Sequence, residues 1–180
     1  MTLPPVRITT SLDHEPLRAL YGESEPFSWA GPGDEPQLGV SAFPNADGPH
    51  WHYVTLGTRA LFGFELTFRL EAASVSDATS APRWPVELLQ RLARHTLRCR
   101  RLPALGWYVC FERPLDPAGG VRCVAVVDDP QLPEARQAVG LHADEVALMS
   151  EDSYPRFLRR LRDALPLLVT RPTRDPVTLD

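Results

Sequence analysis

Two histidines separated by one residue, His50 and His52, offer the first chemistry in this chain. On an extended strand, side chains i and i+2 leave the same face, so both imidazoles could reach one metal ion. A third ligand would have to come from His14, His95, His142 or a carboxylate. None stands at a spacing typical of a metal site. Glu65, thirteen residues beyond His52, is the nearest candidate for a general base, but a base needs a nucleophile or partner acid in reach. The chain carries no G-x-S-x-G, no phosphate-binding glycine loop and no dinucleotide fingerprint. The plainer expectation is that His50 and His52 sit on a sheet surface or bond to backbone. Glu65 is expected to form a cross-strand ion pair with Arg69 or Arg59. Asp128-Asp129-Pro130 reads as a turn after a strand. No metal and no cofactor are expected. A metal- or carboxylate-dependent enzyme built on His50, His52 and Glu65 is the alternative.

Composition narrows the field further. All 19 basic residues are Arg and the net charge is −4, so a nucleic-acid partner is not expected. The clusters Arg98-Cys99-Arg100-Arg101 and Arg159-Arg160-Leu161-Arg162 read as solvated helix faces that complement the helix dipole. Cys99, Cys110 and Cys123 are odd in number and widely spaced, with no C-x-x-C. They predict free, buried thiols in a reducing compartment. No signal peptide opens the chain, and no apolar run is long enough to span a bilayer. The cytoplasm, with no membrane association, is the expected address.

Elements must position these residues. Leu12, Leu17, Leu20 and Tyr21 before Gly22 predict a short helix with a glycine stop. Phe27, Trp29, Leu38, Val40 and Ala42 alternate as strands do. The aromatic and β-branched run 50–56 predicts a strand. Strict alternation over 62–70 predicts a half-buried one, with Phe62, Phe64, Leu66, Phe68 and Leu70 inward and Glu65, Thr67 and Arg69 outward. Pro85 followed by Leu88, Leu89, Leu92, Ala93 and Leu97 predicts the principal helix. Strands are expected at 106–111, 121–127 and 146–149. A last helix is expected to carry Phe157, Leu158, Leu161 and Leu165, followed by a final strand at 167–170. The order has no regular βαβ alternation. The fold class is α+β: a mixed, largely antiparallel sheet packed with helices. One domain over 1–180 is expected, with a core of about 12–170 and a tail at 171–180.

Several of these segments carry a resemblance. Pro49-His50-Trp51-His52-Tyr53-Val54 followed by Gly63-Phe64-Glu65-Leu66-Thr67-Phe68-Arg69-Leu70 resembles the signature of suppressor of fused proteins. Pro82-Arg83-Trp84-Pro85-Val86-Glu87-Leu88-Leu89 resembles that family's tryptophan–proline helix. Pro114-Leu115-Asp116, Asp128-Asp129-Pro130-Gln131-Leu132 and Leu20-Tyr21-Gly22-Glu23 extend the likeness over about 15–170. The resemblance implies an α/β sandwich with no enzymatic activity, no cofactor and a protein partner. In animals the two-domain relative restrains a transcription factor by gripping an extended peptide between its domains. Bacterial single-domain members are proposed to neutralise toxins as immunity proteins. This sequence departs from the animal pattern: no second domain follows, and the loop at 57–61 is short where the animal protein helps hold the peptide. The transcription-factor role is therefore not carried over. The candidate binding residues are His50, Trp51, His52, Tyr53, Glu65 and Trp84, with packing as their competing role. The function expected is a non-catalytic protein-binding module, in its narrower form an immunity protein. A general interaction protein without a toxin link makes the same use of the residues.

Overall fold

Alternation of large apolar residues along three neighbouring segments builds the centre of the sheet. The computed structural model describes residues 15–31, 38–45, 48–72, 80–99, 104–116, 119–150 and 152–179. Leu12, His14, Arg100 and Arg101 lie outside them. The described elements are α1 (Glu15–Tyr21), β1 (Phe27–Trp29), β2 (Gly39–Asn45), β3 (His50–Leu56), α2 (Thr58–Phe62), β4 (Glu65–Glu71), α3 (Trp84–Cys99), β5 (Tyr108–Cys110), β6 (Cys123–Asp128), β7 (Ala135–Leu141), α4 (Ala143–Val146) and α5 (Tyr154–Ala164). Seven strands form one sheet in the order β1-β2-β3-β4-β7-β6-β5. Among the described strands only β4 and β7 run parallel; the other neighbours are antiparallel. The architecture is the expected α+β sheet. No helix among the described residues is long and apolar enough to cross a membrane.

Each face of the sheet is covered. Trp51, Tyr53, Leu66, Phe68 and Leu70 meet Val86, Leu89, Leu92 and Ala93 of α3 on one side. Trp84 opens α3 and packs edge-on against Phe68 at 5.3 Å. On the other face Val139, Leu141 and Cys123 meet Phe157, Leu161 and Leu165 of α5, while Leu17 of α1 covers Phe43 and Val54. At roughly 1.5–3 kcal/mol per large buried side chain, these contacts are the bulk of the driving force.

Several expectations are corrected. The 62–70 strand begins at Glu65, because 58–62 turns as α2 between Gly57 and Gly63, whose φ values of 92° and 83° suit only glycine. Residues 57–61 are therefore mostly helix. The strand is buried on both faces: Thr67 and Arg69 are fully buried and Glu65 is 6% exposed. β7 escaped the reading because Ala135, Gln137, Ala138 and Gly140 are small or polar. The 146–149 strand is instead the end of α4 and a turn. Residues 167–170 form a 3-10 turn, Pro166–Leu168, and a single bridge from Thr170 to Leu70. The segment after it is anchored, not a loose tail. Arg174 forks onto Glu145, Val177 N–H donates to Glu145, and Val177 and Leu179 pack near α5.

The cysteines also differ. Cys110 and Cys123 face each other across β5 and β6 and form a disulfide, and Cys99 is free and exposed. Phe111 N–H donates to Arg122 C=O, which makes Cys110 and Cys123 a non-hydrogen-bonded pair, where strands lie closest. Their Cα atoms are 4.0 Å apart. The buried-thiol expectation fails because sequence spacing hides this cross-strand adjacency. Replacing both with Ser is expected to lower unfolding stability by roughly 3 kcal/mol for a loop of this size. Denaturant titration checks it, and thiol counting on the unreduced, unfolded chain should find one thiol.

Candidate functional site

The face of β3 and β4 that turns away from α3 carries His50, His52, Thr67 and Arg69. His52 stands directly opposite Arg69 in the antiparallel register. Arg69 is fully buried, so its charge needs a partner. Asp129, at the end of β6, supplies it with a forked pair: Nη1 to Oδ2 at 2.8 Å and Nη2 to Oδ1 at 3.0 Å. Thr67 donates to Asp129 Oδ2 at 2.6 Å, and the backbone N–H groups of Gln131 and Leu132 donate to Oδ1 at 2.9 Å. Arg69 donates onward to Gln137 Oε1 at 2.6 Å and Gln131 Oε1 at 3.1 Å. Gln137 Nε2 then donates to the carbonyls of Leu167 and Leu168.

Tyr21 closes the other end. Its hydroxyl lies 2.6 Å from His52 Nδ1, and its ring stacks on Phe43 at 4.8 Å. His52 Nε2 faces Asp129 at 3.5 Å, too long for a good hydrogen bond. Burial favours the neutral ring, which leaves one nitrogen to accept from Tyr21. Burial pushes His52 down to about 4, against the Asp129 interaction and with help from the Arg69 charge. Burial pushes Tyr21 up to about 12. Burial alone would raise Asp129, but His52 and Arg69 outweigh it and hold the carboxyl well below its usual range.

The other predicted residues go elsewhere. His50 shares the face of His52 and bonds through Nδ1 to Gly48 C=O at 2.7 Å. Burial lowers its basicity. Glu65 lies on the same face of β4, four residues or roughly 13 Å from Arg69. It forms no ion pair with Arg69 or Arg59. Its carboxylate instead accepts from the N–H groups of Gly57, Thr58 and Arg59 and from the hydroxyls of Thr55 and Thr58, and so caps α2. The Arg59 guanidinium pairs with Glu134. Backbone donors around the short helix won over the distant cations. Trp51 and Tyr53 point to the α3 side, where Tyr53 donates to Pro82 C=O at 2.8 Å. His50, His52 and Glu65 thus share a face without sharing partners. Among the described residues no group of three or more His, Cys, Asp or Glu is placed to hold a metal.

Sequence reasoning missed Tyr21, Arg69, Asp129, Gln131 and Gln137 as one unit. The available signal was an arginine in the middle of a Phe-rich strand. Two surface features adjoin the network. An apolar depression of about 220 Å³ lies between Leu17, Val54, Leu132 and Ala135, with Arg59 and Glu134 at its rim. A more polar one of about 420 Å³ is lined by Tyr21, Asn45 and Gln131.

The fold and this network define an α+β scaffold stapled at its centre by one buried ion pair. The chain belongs to the suppressor of fused family: the sequence profile described as Suppressor of fused protein (SUFU) matches residues 34–175. Suppressor of fused homologues of Mus musculus and Homo sapiens are each 31% identical over 137 residues, covering 63% of this chain and 28% of theirs. The chain therefore spans about 28% of the length of the curated relatives it matches. Among solved structures, a chain of the Sufu–Fu complex superposes with a TM-score of 0.75 at 24% identity, covering 90% of this chain and 88% of that one. Drosophila Suppressor of Fused gives 0.72 at 23% identity, covering 90% and 49%. A SUFU homologue from Neisseria gonorrhoeae gives 0.67 at 13% identity, covering 92% and 94%. At these identities the structures establish the shared fold.

Asp129→Asn leaves Arg69 buried without a countercharge and should cost about 3–5 kcal/mol. His52 sets the pH dependence. Its folded value of about 4 lies below its ordinary 6.5, so the unfolded chain binds more protons between those values. Its contribution is full above about pH 6.5 and falls by roughly 3 kcal/mol as pH drops toward 4. Urea melts at pH 7 and pH 5 should show about 2 kcal/mol of this loss, and His52→Asn should reduce it while His50 keeps a smaller slope.

Proposed function

We propose that this chain is a non-catalytic protein-binding module. The observation that carries the reading is that the polar side chains of its signature strands, His50, His52, Glu65 and Arg69, are committed to internal partners in a family fold one of whose solved members stands in a complex with another protein. His52, Arg69 and Asp129 are sealed from solvent, and Glu65 is held by five donors. An open sheet with short edge strands supplies surface for a partner. The narrower form makes the partner a toxin that the chain neutralises. It adds one expectation: co-expression with a toxin encoded beside it should restore growth.

The test separates binding from chemistry. Tagged protein used as bait in lysate of the source organism should retain a stoichiometric protein partner. His52→Asn and Glu65→Gln should lower stability while changing partner affinity by no more than about twofold, because they act inside the scaffold. Absence of any partner at micromolar bait, with metal retained stoichiometrically through chelator dialysis, sinks the reading in favour of His50, His52 and Glu65 as an active centre.

A further inference from the structure

The Cys110–Cys123 bond presents two unlike sulfurs to solvent. Cys123 is fully buried and packs with Phe157 and Leu161 of α5. Cys110 is exposed and borders a groove of about 600 Å³ between α3 and the segment after β5. That volume lies within the roughly 300–1,000 Å³ of small-molecule sites. A nucleophile arriving from solvent therefore meets Cys110 and not Cys123. The bond also matters locally. β5 is three residues long, and the backbone bonds beside it are Val126 N–H to Trp107 C=O and Phe111 N–H to Arg122 C=O.

Half-buried Trp84, Phe111 and Leu115 give the groove apolar walls, and its ionic side chains are Glu87, Arg91, Glu112 and Arg113. Arg83 engages Glu87 at 3.5 Å, which leaves two arginines against one carboxylate. The Arg91 guanidinium lies over the ring of Phe111, the neighbour of Cys110, at 5.6 Å from its centroid. Arg122, the neighbour of Cys123, donates from Nη2 to Glu112 C=O at 2.9 Å and brings a third guanidinium to the same segment. On a chain of net charge −4 this is a local basic feature. The reactive form of a thiol is its anion, and nearby cations concentrate thiolates and carboxylates alike.

We propose that Cys110 is a thiol-exchange site, at which a small thiol carrying carboxylates, guided by Arg91 and Arg113, opens the Cys110–Cys123 bond and loosens β5 from β6. The incoming thiolate attacks Cys110 Sγ. A bond forms between the two sulfurs as the bond from Cys110 Sγ to Cys123 Sγ breaks. Cys123 leaves with the electron pair and takes up a proton, because its apolar surroundings favour the neutral thiol. A second thiolate then attacks the small thiol's sulfur in the mixed disulfide. Cys110 leaves as a thiolate and is protonated in turn. Two small thiols are oxidised to their disulfide, and one protein disulfide is reduced to two thiols. The site needs no protein partner.

The oxidised full chain, without denaturant, is the material for the test. Glutathione, a thiol with carboxylates, should open the bond about tenfold faster per thiolate than neutral 2-mercaptoethanol at low salt, and the difference should shrink at high salt. Peptide mapping after an acid quench should find the glutathione adduct on Cys110. Amide exchange at Val126 and Phe111 should speed up about tenfold in the opened chain. Arg91→Glu with Arg113→Glu, both at exposed positions, should remove the glutathione preference while the 2-mercaptoethanol rate stays within about twofold. The comparison of the two thiols on the unaltered chain stands even where those changes disturb the Phe111 contact. Several results overturn the proposal. These are equal rates per thiolate, no opening by either thiol, an adduct on Cys123, unchanged exchange at Val126 and Phe111, a preference that survives the arginine changes, or opening by a protein dithiol such as thioredoxin alone.

Discussion

One buried ion pair, Arg69 with Asp129, holds together parts of the chain that the sheet alone leaves separate. A guanidinium in the interior is tolerated only where its charge and its donors are met, and here the fork meets a carboxylate that itself collects Thr67 and two backbone N–H groups. The same guanidinium reaches Gln137 on the parallel neighbour β7, and Gln137 reaches the carbonyls of Leu167 and Leu168. Those two residues both have φ of 55°, a left-handed turn that non-glycine residues rarely adopt. The turn is held by an amide whose own orientation is set by Arg69. At the opposite end Asp129 faces His52, and His52 positions Tyr21 of α1. Removing one member leaves the others buried and unmet, which explains why the set acts as a unit.

The parallel junction between β4 and β7 is the second constraint. Pairing runs from Glu65–Ala135 to Phe68–Ala138 and then stops. Thr170 fills the gap beyond. Its N–H donates to Arg69 C=O, its C=O accepts from Glu71 N–H, and its hydroxyl accepts from Gly140 N–H. A Cβ on Gly140 would stand 2.5 Å from Thr170 Cγ2, so only glycine lets the C-terminal segment come this close. Glu145 then pins the segment by accepting from Arg174 and Val177. Three buried carboxylates, on Glu65, Asp129 and Glu145, each organise a turn by collecting backbone N–H groups, a stronger arrangement than exposed ion pairs would give.

The sequence was legible where periodicity carries the information. The aromatic run at 50–56, the Phe-Leu alternation of β4 and the apolar stripe of α3 name their own structures, and together they fix the fold class. It was illegible where structure depends on partners far away along the chain. β7 reads as nothing in particular because Ala138 and Gly140 are small so that α3 and Thr170 can approach. The polar face of β4 looks solvent-facing by alternation alone. It is buried because Asp129, 60 residues from Arg69, and Gln137, 68 residues away, arrive to satisfy it. Cys110 and Cys123 become neighbours only once the β5–β6 register exists. His50, His52 and Glu65 stand out by residue type, but type and spacing do not report which neighbours consume them.

This distinction bears on what the family motifs mean here. His50, Trp51, His52, Tyr53, Glu65 and Trp84 all lie in the interior or lead into it, on both faces of the same three elements. Such residues transmit a scaffold, because each is held by a distant partner whose loss would leave a polar group unmet or a cavity open. All but half-buried Trp84, which lines the groove beside α3, are poorly placed to choose between partners, since choice requires side chains that a partner can touch. The elements free to vary without disturbing the Arg69 set are the sheet edges and the solvent side of α3. There substitutions cost little stability. A scaffold that keeps its chemistry inside and its variability at the rim can retain one fold while changing what it binds.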